Sequence, residues 1–367
     1  MRVGEVEDQA MLRALDLAGR GPEHGPNPRV GCVLLSPDGS VVGEGWHQGA
    51  GTPHAEPAAV AAARAAGRST AGTTAVVTLE PCDHTGRTGP CTEVLLDAGV
   101  ARVVVGVDDS NPAAAGGAAR LRRAGVHVTV GVRRTEAAEL VHVWATAVRA
   151  GRPFVTLKTA SSLDGRVAAR DGSSRWITGP ESRDHAHRTR STVDAIVVGT
   201  GTALADDPSL TARPGGEVAG HQPLRVVVGH RDVPLGARLR GPGGELVQVR
   251  THDPAEVLAE LARREVRHAL VEGGPTLASA FLGAGLVDQL HAYLAPVLLG
   301  AGPTALGDIG VGTLTQAPRP RTVSTERLGA DVLVVARFDR DRQGDQHDHA
   351  RREDRSGWSP ATTEEES

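Results

Sequence analysis

The spacing of apolar positions divides the chain into two runs of alternating strands and helices. Residues 11–18 place apolar side chains at helical intervals and predict a short helix. Apolar runs at 29–35 and 41–46 flank Ser36-Pro37-Asp38-Gly39, which has the turn chemistry of a hairpin. An alanine-rich helix at 55–66 then precedes a strand at 74–79. A helix at 91–98 precedes a strand at 102–107, and one near 115–124 precedes a strand at 126–130. A helix at 135–149 closes the run. Alternation at this spacing predicts a sheet, largely parallel, with helices on its faces.

The pattern restarts after Ala150-Gly151-Arg152-Pro153. Strands are expected at 154–159, 194–198, 224–228, 269–271, 290–294 and 332–337. Helices are expected at 180–190, 254–264 and 275–284, each with a proline near its first turn, where a missing N–H is harmless. The expected division is one domain over 1–150 and a second over 151–338. Residues 339–367 contain no Val, Ile, Leu or Phe and are about half charged, so they bury too little to offset ordering entropy and predict a disordered tail. His347-Asp348-His349 in that tail reads as solvated charge, not as a metal site.

Composition narrows the class. A length of 367 residues fits two domains, and 40% hydrophobic and 23% charged residues exclude a collagen-like, disulfide-framework or wholly disordered chain. The net charge of −4 offers no basic excess for nucleic acid. No run approaches the ~18 apolar residues of a membrane helix, and early acids at Glu5, Glu7 and Asp8 are unlike a secretory leader. Three cysteines, Cys32, Cys82 and Cys91, make a poor disulfide set and suit a reducing, cytoplasmic setting. Lys158 is the one lysine among 40 basic residues, the rest being arginine. Base-composition bias explains the scarcity and makes the retained lysine worth following.

The strongest chemical signal is Pro53-His54-Ala55-Glu56 with Glu80-Pro81-Cys82 and Gly89-Pro90-Cys91. A catalytic zinc takes three protein ligands and keeps one position for water, whose pKa falls toward about 7. His54, Cys82 and Cys91 supply the ligand set, for one zinc per chain. Glu56 is then the general base and acid that moves protons from water to the attacked ring and leaving amine. Cys91 opens a helix, where free N–H groups favour a thiolate. A structural zinc normally closes with a fourth ligand, and none is evident. Buried core cysteines are the other alternative; Cys32, inside Val30-Gly31-Cys32-Val33, fits that description, whereas the other two stand among Pro, Gly and charged residues.

His-x-Glu with Pro-Cys-x-x-Cys would suggest a cytidine or nucleobase deaminase, but here eight residues separate the cysteines. That spacer, His24-Gly25-Pro26-Asn27-Pro28-Arg29-Val30-Gly31-Cys32 and Gly43-Glu44-Gly45-Trp46-His47 resemble the bifunctional riboflavin-biosynthesis deaminase/reductase family. The likeness continues through Lys158-Thr159-Ala160-Ser161-Ser162-Leu163-Asp164-Gly165-Arg166, Ser174-Arg175-Trp176-Ile177-Thr178-Gly179 and the run from Thr202 to Arg213. It spans about residues 7–338. It implies an α/β chain with a cytidine-deaminase-like α/β/α domain followed by a dihydrofolate-reductase-like α/β domain. It also implies deamination of a phosphorylated diaminopyrimidinone and NADPH-dependent reduction of its ribosyl group to ribityl. Asn27, His47, His84 and Arg87 would line the first substrate pocket, with Arg87 standing where some members carry lysine. Pro57 after Glu56 is tolerated in a first turn.

In the second half, a strand, Gly273-Gly274 and a helix opening with Pro275 form a turn able to receive phosphate. Gly199-Thr200-Gly201-Thr202 comes closest to a dinucleotide fingerprint but has Leu204 in place of the last glycine. The resemblance assigns Ser161, Trp176, Thr202, Asp206 and Gly274 to the nicotinamide cofactor. It assigns Lys158, Ser174, Leu210, Arg213 and Glu272 to substrate. NADPH over NADH rests on the resemblance, as does assembly of a homo-oligomer through the reductase domain. A single-activity zinc deaminase with a non-catalytic second domain is the competing enzyme, and a metal-dependent scaffold the competing non-enzyme. The scaffold would predict loss of Glu56 or a ligand, and all are present.

Overall fold

The computed structural model describes residues 3–84 and 89–338. The expectations for Arg87 and for 339–367, with His347 and His349, fall outside them.

The first sheet belongs to a run of α1 (Val3–Gly19), β1 (Gly31–Leu35), β2 (Val41–Trp46), α2 (Ala55–Ala65), β3 (Thr74–Leu79), α3 (Cys91–Asp97), β4 (Arg102–Val107), α4 (Gly117–Arg123), β5 (His127–Val130), α5 (Arg134–Leu140) and α6 (His142–Ala150). Its order is β2-β1-β3-β4-β5. β1 runs antiparallel to both β2 and β3, and only β3, β4 and β5 are parallel, so this sheet is more mixed than the alternation implied. Ala55, Ala59, Val60, Ala63 and Leu95 pack on one face against Cys32, Leu34, Val77 and Val105. Met11, Ala14 and Leu17 cover the other against Val33, Val76 and Val104. Cys32 is fully buried in this core, as expected.

Helix α2 lies against β2 at backbone distance because Gly45 has no side chain. A Cβ there would stand 2.4 Å from the Ala59 nitrogen and 2.5 Å from the Ala55 oxygen. This contact fixes the first turn of α2, where His54 is the N-cap and Glu56 follows.

The helix expected over 135–149 is two helices. Val141, with φ −102° and ψ 7°, breaks it. Helix α5 contacts α1 and β4, whereas α6 turns to meet two strands of the second sheet. One straight helix could not reach both surfaces.

The second run contains β6 (Phe154–Ser162), α7 (Pro180–Thr192), β7 (Ala195–Gly199), α8 (Thr200–Asp206), β8 (Leu224–Val228), β9 (Leu246–Val249), α9 (Pro254–Arg263), β10 (His268–Val271), α10 (Pro275–Gly283), β11 (Gln289–Ala295), β12 (Arg321–Leu328) and β13 (Asp331–Arg337). The order is β12-β13-β11-β6-β10-β7-β8-β9. From β11 to β9 all pairings are parallel, and β13 is antiparallel to β11 and β12. Elements α8, β9 and β12 have weak sequence signals. β9 is a four-residue, half-buried edge, and seven of the eight β12 residues are exposed, so neither shows an apolar alternation. The glycine-rich stretch at 199–202 does stand at a strand-to-helix junction, between β7 and α8.

Polar and ring contacts brace each half and, through Asp194 and His24, fasten the two together. Arg152 makes a two-pronged ion pair with Asp288, each bond 2.8 Å, and Asp288 also accepts the Val155 N–H. Asp194 takes the Gly25 N–H on one oxygen and the Arg267 and His268 N–H groups on the other. Trp144 of α6 donates to the Pro26 oxygen at 3.0 Å, and His24 stacks on His221 at 3.5 Å.

Replacing Gly45 by alanine should push α2 off β2. Overpacking of this kind costs about 1–3 kcal/mol. Denaturant unfolding should show that loss and metal analysis a lower zinc content; unchanged values for both would remove the close contact as a determinant of the site.

Candidate active sites

The ends of three elements meet in the first half. His54 caps α2, Cys82 follows β3 on a loop, and Cys91 begins α3. Their ligand atoms lie within 4.8 Å of one another. His54 Nδ1 is 3.2 Å from Cys91 Sγ and 3.7 Å from Cys82 Sγ. The Cys91 N–H faces Cys82 Sγ at 3.5 Å. Behind them, Glu80 closes the loop: its carboxylate accepts the N–H groups of Asp109 and Ala118, the latter in the first turn of α4.

The donor set suits a cation. Hydrogen-bonded by Cys91 and facing His54, the Cys82 thiol is held down to about 4. The same thiolate, together with burial, pushes Cys91 up. Two adjacent sulfurs cannot both ionise without a positive charge between them, and zinc provides one while accepting imidazole and thiolate ligands. Glu56 is buried beside Cys91, and burial followed by the Cys82 charge raises its carboxyl to about 7.

A cavity of about 460 Å³ opens from this point. Asn27, His47 and His84 line it, so the structure gathers three of the four expected substrate residues there. His47 Nδ1 faces the Pro53 oxygen at 3.1 Å and Nε2 faces Asn27 Nδ2 at 3.0 Å. A neutral ring donating to Pro53 and accepting from Asn27 satisfies both contacts, and burial lowers the His47 pKa in agreement. Among the described residues, His84 Nδ1 is buried without a protein partner. Sequence reasoning missed Asp109, Asn111, Trp144 and Arg267, which also line the cavity. Trp144 and Arg267 carry no local motif; their place depends on how the halves pack.

In the second half, Ser161 lies near the end of β6, Thr202 in α8, and Glu272 and Gly274 after β10. Parallel strands β6, β10 and β7 are neighbours, so these residues gather at their carboxyl ends, the usual ligand edge of such a sheet. The Gly274 N–H donates to Thr202 Oγ1 at 3.2 Å, tying the two helix starts together. Glu272 is gripped by Arg190 through bonds of 2.7 and 2.8 Å. Burial alone would raise Glu272, but Arg190 and then Lys158 hold it at about 2. Burial lowers the Lys158 pKa and Glu272 opposes that; its ammonium lies 5.6 Å from the centre of the Tyr293 ring. Leu210 is buried with φ +51°, and Arg213 Nε has no protein partner among the described residues. Ser174 and Trp176 are exposed, Trp176 under the Arg183 guanidinium, and the Asp206 carbonyl is tied to Arg175. Arg190 and Tyr293 are the residues missed here. They are brought in by α7 and β11, which no motif links to Glu272.

Two family models cover most of this architecture: the cytidine and deoxycytidylate deaminase zinc-binding region at residues 5–107, and the RibD C-terminal domain at residues 153–334. The riboflavin biosynthesis protein RibD of Mycobacterium tuberculosis is 49% identical over 311 residues, 84% of this chain and 90% of that one. The chain belongs to the RibD family. The RibD of Escherichia coli is 40% identical, with 89% of this chain and 98% of that one covered. A Thermotoga maritima crystal structure, described as a diaminohydroxyphosphoribosylaminopyrimidine deaminase/5-amino-6-(5-phosphoribosylamino)uracil reductase, superposes with TM-score 0.82 at 33% identity. It covers 92% of this chain and 99% of its own. RibD of Acinetobacter baumannii gives 0.81 at 35%, with the same coverage.

As a RibD, the chain is a bifunctional deaminase/reductase of riboflavin biosynthesis, acting on small phosphorylated pyrimidines. It has a zinc-binding deaminase half and a reductase half typical of NADPH use. No helix among the described residues is long and apolar enough to cross a membrane.

Purified protein should carry about one zinc per chain. Cys91→Ser should lose most of it, because hydroxyl replaces the thiolate at a three-ligand site. Metal analysis decides: full zinc retention in that variant would place the ion elsewhere.

Proposed function

We propose that the first half, residues 1–150, deaminates 2,5-diamino-6-(5-phosphoribosylamino)pyrimidin-4-one. The second, residues 151–338, then reduces the ribosyl group of the product to ribityl. The observation that carries the first step is Glu56, buried at the His54–Cys82–Cys91 cluster in a cavity also lined by Asn27, His47 and His84. The T. maritima relative named for both reactions supports the substrates.

His54, Cys82 and Cys91 hold the zinc, which supplies Lewis acidity that favours ionisation of water near neutral pH. Glu56 takes a proton from the attacking water, passes it to the ring nitrogen and delivers the second to the departing ammonia. Asn27, oriented by His47, His84 with its free Nδ1, and Arg87 contact the substrate's polar ring and phosphate.

For the second step, opening of the sugar ring would give an imine at the first sugar carbon, and NADPH, when bound, would supply the hydride that reduces it. Ser161, Trp176, Thr202, Asp206 and Gly274 hold that cofactor, and the paired starts of α8 and α10 offer backbone donors. Arg213 takes the substrate phosphate with its two-pronged fork. Lys158 and Glu272 face the sugar, where a compact ammonium assists proton movement and Arg190 keeps Glu272 ionised. Ser174 and Leu210 complete the substrate side. The chain is a cytoplasmic enzyme on this reading, consistent with its three free cysteines. It self-associates through the second half, where β12 forms one edge of the sheet.

Glu56→Gln should keep zinc and reduce deamination by about 10²–10⁴-fold. The same variant, given the deaminated intermediate and NADPH, should oxidise the cofactor at the wild-type rate. Normal deamination would remove Glu56 from the mechanism, and a folded second half with no NADPH oxidation would leave a deaminase alone. Lys158→Arg should lower reductase kcat/KM about tenfold, on the order of 1.4 kcal/mol. With its pKa lowered by burial, Lys158 loses its charge below the usual lysine range, so wild-type reductase activity should fall as pH rises there. The arginine variant stays charged and should lack that fall in a pH–rate profile.

A further inference from the structure

One wall of the deaminase cavity comes from the reductase half. The cavity runs from His54 and Glu56 past Asn27 to Trp144, Glu265 and Arg267. Arg267 immediately precedes β10, beyond the 5–107 span matched as deaminase and inside the 153–334 span matched as RibD C-terminal domain. We propose that Arg267 binds the phosphate of the deaminase substrate, so that a side chain of the reductase half completes the deaminase site. This rests on the substrate reading above.

Arg267 is half-buried, yet among the described residues no carboxylate lies within ion-pair distance of it. That sets it apart from Arg152 and Arg190, each locked on a buried acid. Its Nε approaches the Pro26 oxygen at 3.5 Å, and its two Nη groups have no protein partner among the described residues. A guanidinium with its terminal nitrogens free is built for two parallel bonds to phosphate oxygens. Among the described lining residues it is the one guanidinium or ammonium. Two of the imidazoles are engaged elsewhere, His54 facing the thiols and His47 shared between Pro53 and Asn27, which leaves His84 as the one ring able to add to the contact.

Its position is also fixed relative to the substrate loop. One Asp194 oxygen accepts the Arg267 N–H at 2.8 Å while the other accepts the Gly25 N–H, two residues before Asn27. Trp144 and Arg267 both address the Pro26 oxygen. The group that contacts the ring and the group that would contact the phosphate are thus mounted on one clamp.

The test uses the full-length chain. Wild type, Arg267→Ala and Arg267→Lys are assayed for deamination of the phosphorylated substrate and of its 5′-dephosphorylated form. Reductase turnover on the deaminated intermediate and zinc content serve as controls for folding. Arg267→Ala should raise the deaminase KM for the phosphorylated substrate about tenfold or more, as expected for a lost charge-assisted contact. It should leave KM for the dephosphorylated form within about twofold, and lysine should recover part of the loss. If alanine costs zinc or reductase activity, Arg267→Gln carries the same comparison. An unchanged KM for the phosphorylated substrate overturns the proposal. So does an equal rise for both forms, which would mean support of the Pro26 loop alone. A wild type that deaminates neither form overturns the substrate reading itself, a result distinct from an active wild type with an insensitive variant.

Discussion

Two sulfurs and an imidazole nitrogen held within 4.8 Å of one another impose the main constraint on the first half of this chain. The two thiols cannot share that space as thiolates without a cation, so the surrounding backbone has to hold the cluster against its own repulsion. Three contacts do this. Gly45 lets α2 settle at backbone distance on β2, fixing His54 and Glu56. Glu80 accepts two N–H groups behind the Cys82 loop. Gly117 admits the Pro81 oxygen where a Cβ would stand only 1.8 Å away. Each acts on an element end, because that is where the ligands are.

The second half solves a different electrostatic problem. Glu272 and Lys158 are both buried charges, and Arg190 settles the balance by pairing with Glu272 in two bonds. The four-residue strand β10 links this cluster to the other site. Arg267 precedes it at the deaminase cavity, and Glu272 follows it at the reductase edge. Five residues of extended chain span about 16 Å, so the two sites lie at opposite ends of one central strand. Movement of β10 would therefore be felt in both.

Much of this was legible locally. Strands 74–79, 102–107 and 224–228 are bounded in the structure as the apolar pattern implies, because they are continuous buried runs. The metal cluster was legible because thiols next to Pro and Gly, with His-x-Glu upstream, have few structural uses. Elements without an apolar face were not: β12 is exposed along nearly its whole length, and α8 is a single short helix after a glycine. The split between α5 and α6 was hidden for a related reason. The apolar residues continue across Val141, and the break shows only in the fold, where α5 and α6 meet different surfaces.

The sequence by itself determined the two-part α/β plan, the His54, Cys82 and Cys91 donors with Glu56 beside them, and the family whose motifs the chain carries. Those depend on residue type and short spacing, which no distant contact alters. Only the tertiary structure decided that Arg190 pairs with Glu272, that His47 is shared between Asn27 and Pro53, and that Trp144 and Arg267 wall the deaminase cavity. The Arg190–Glu272 and Arg267–Pro26 contacts join residues about 80 and 240 positions apart, and the shorter His47 contacts depend on how the loops after β2 and before β1 fold together. Asp194 holds the docking of the two halves, its half-buried carboxylate bridging the Gly25 N–H of the first half and the Arg267 and His268 N–H groups of the second.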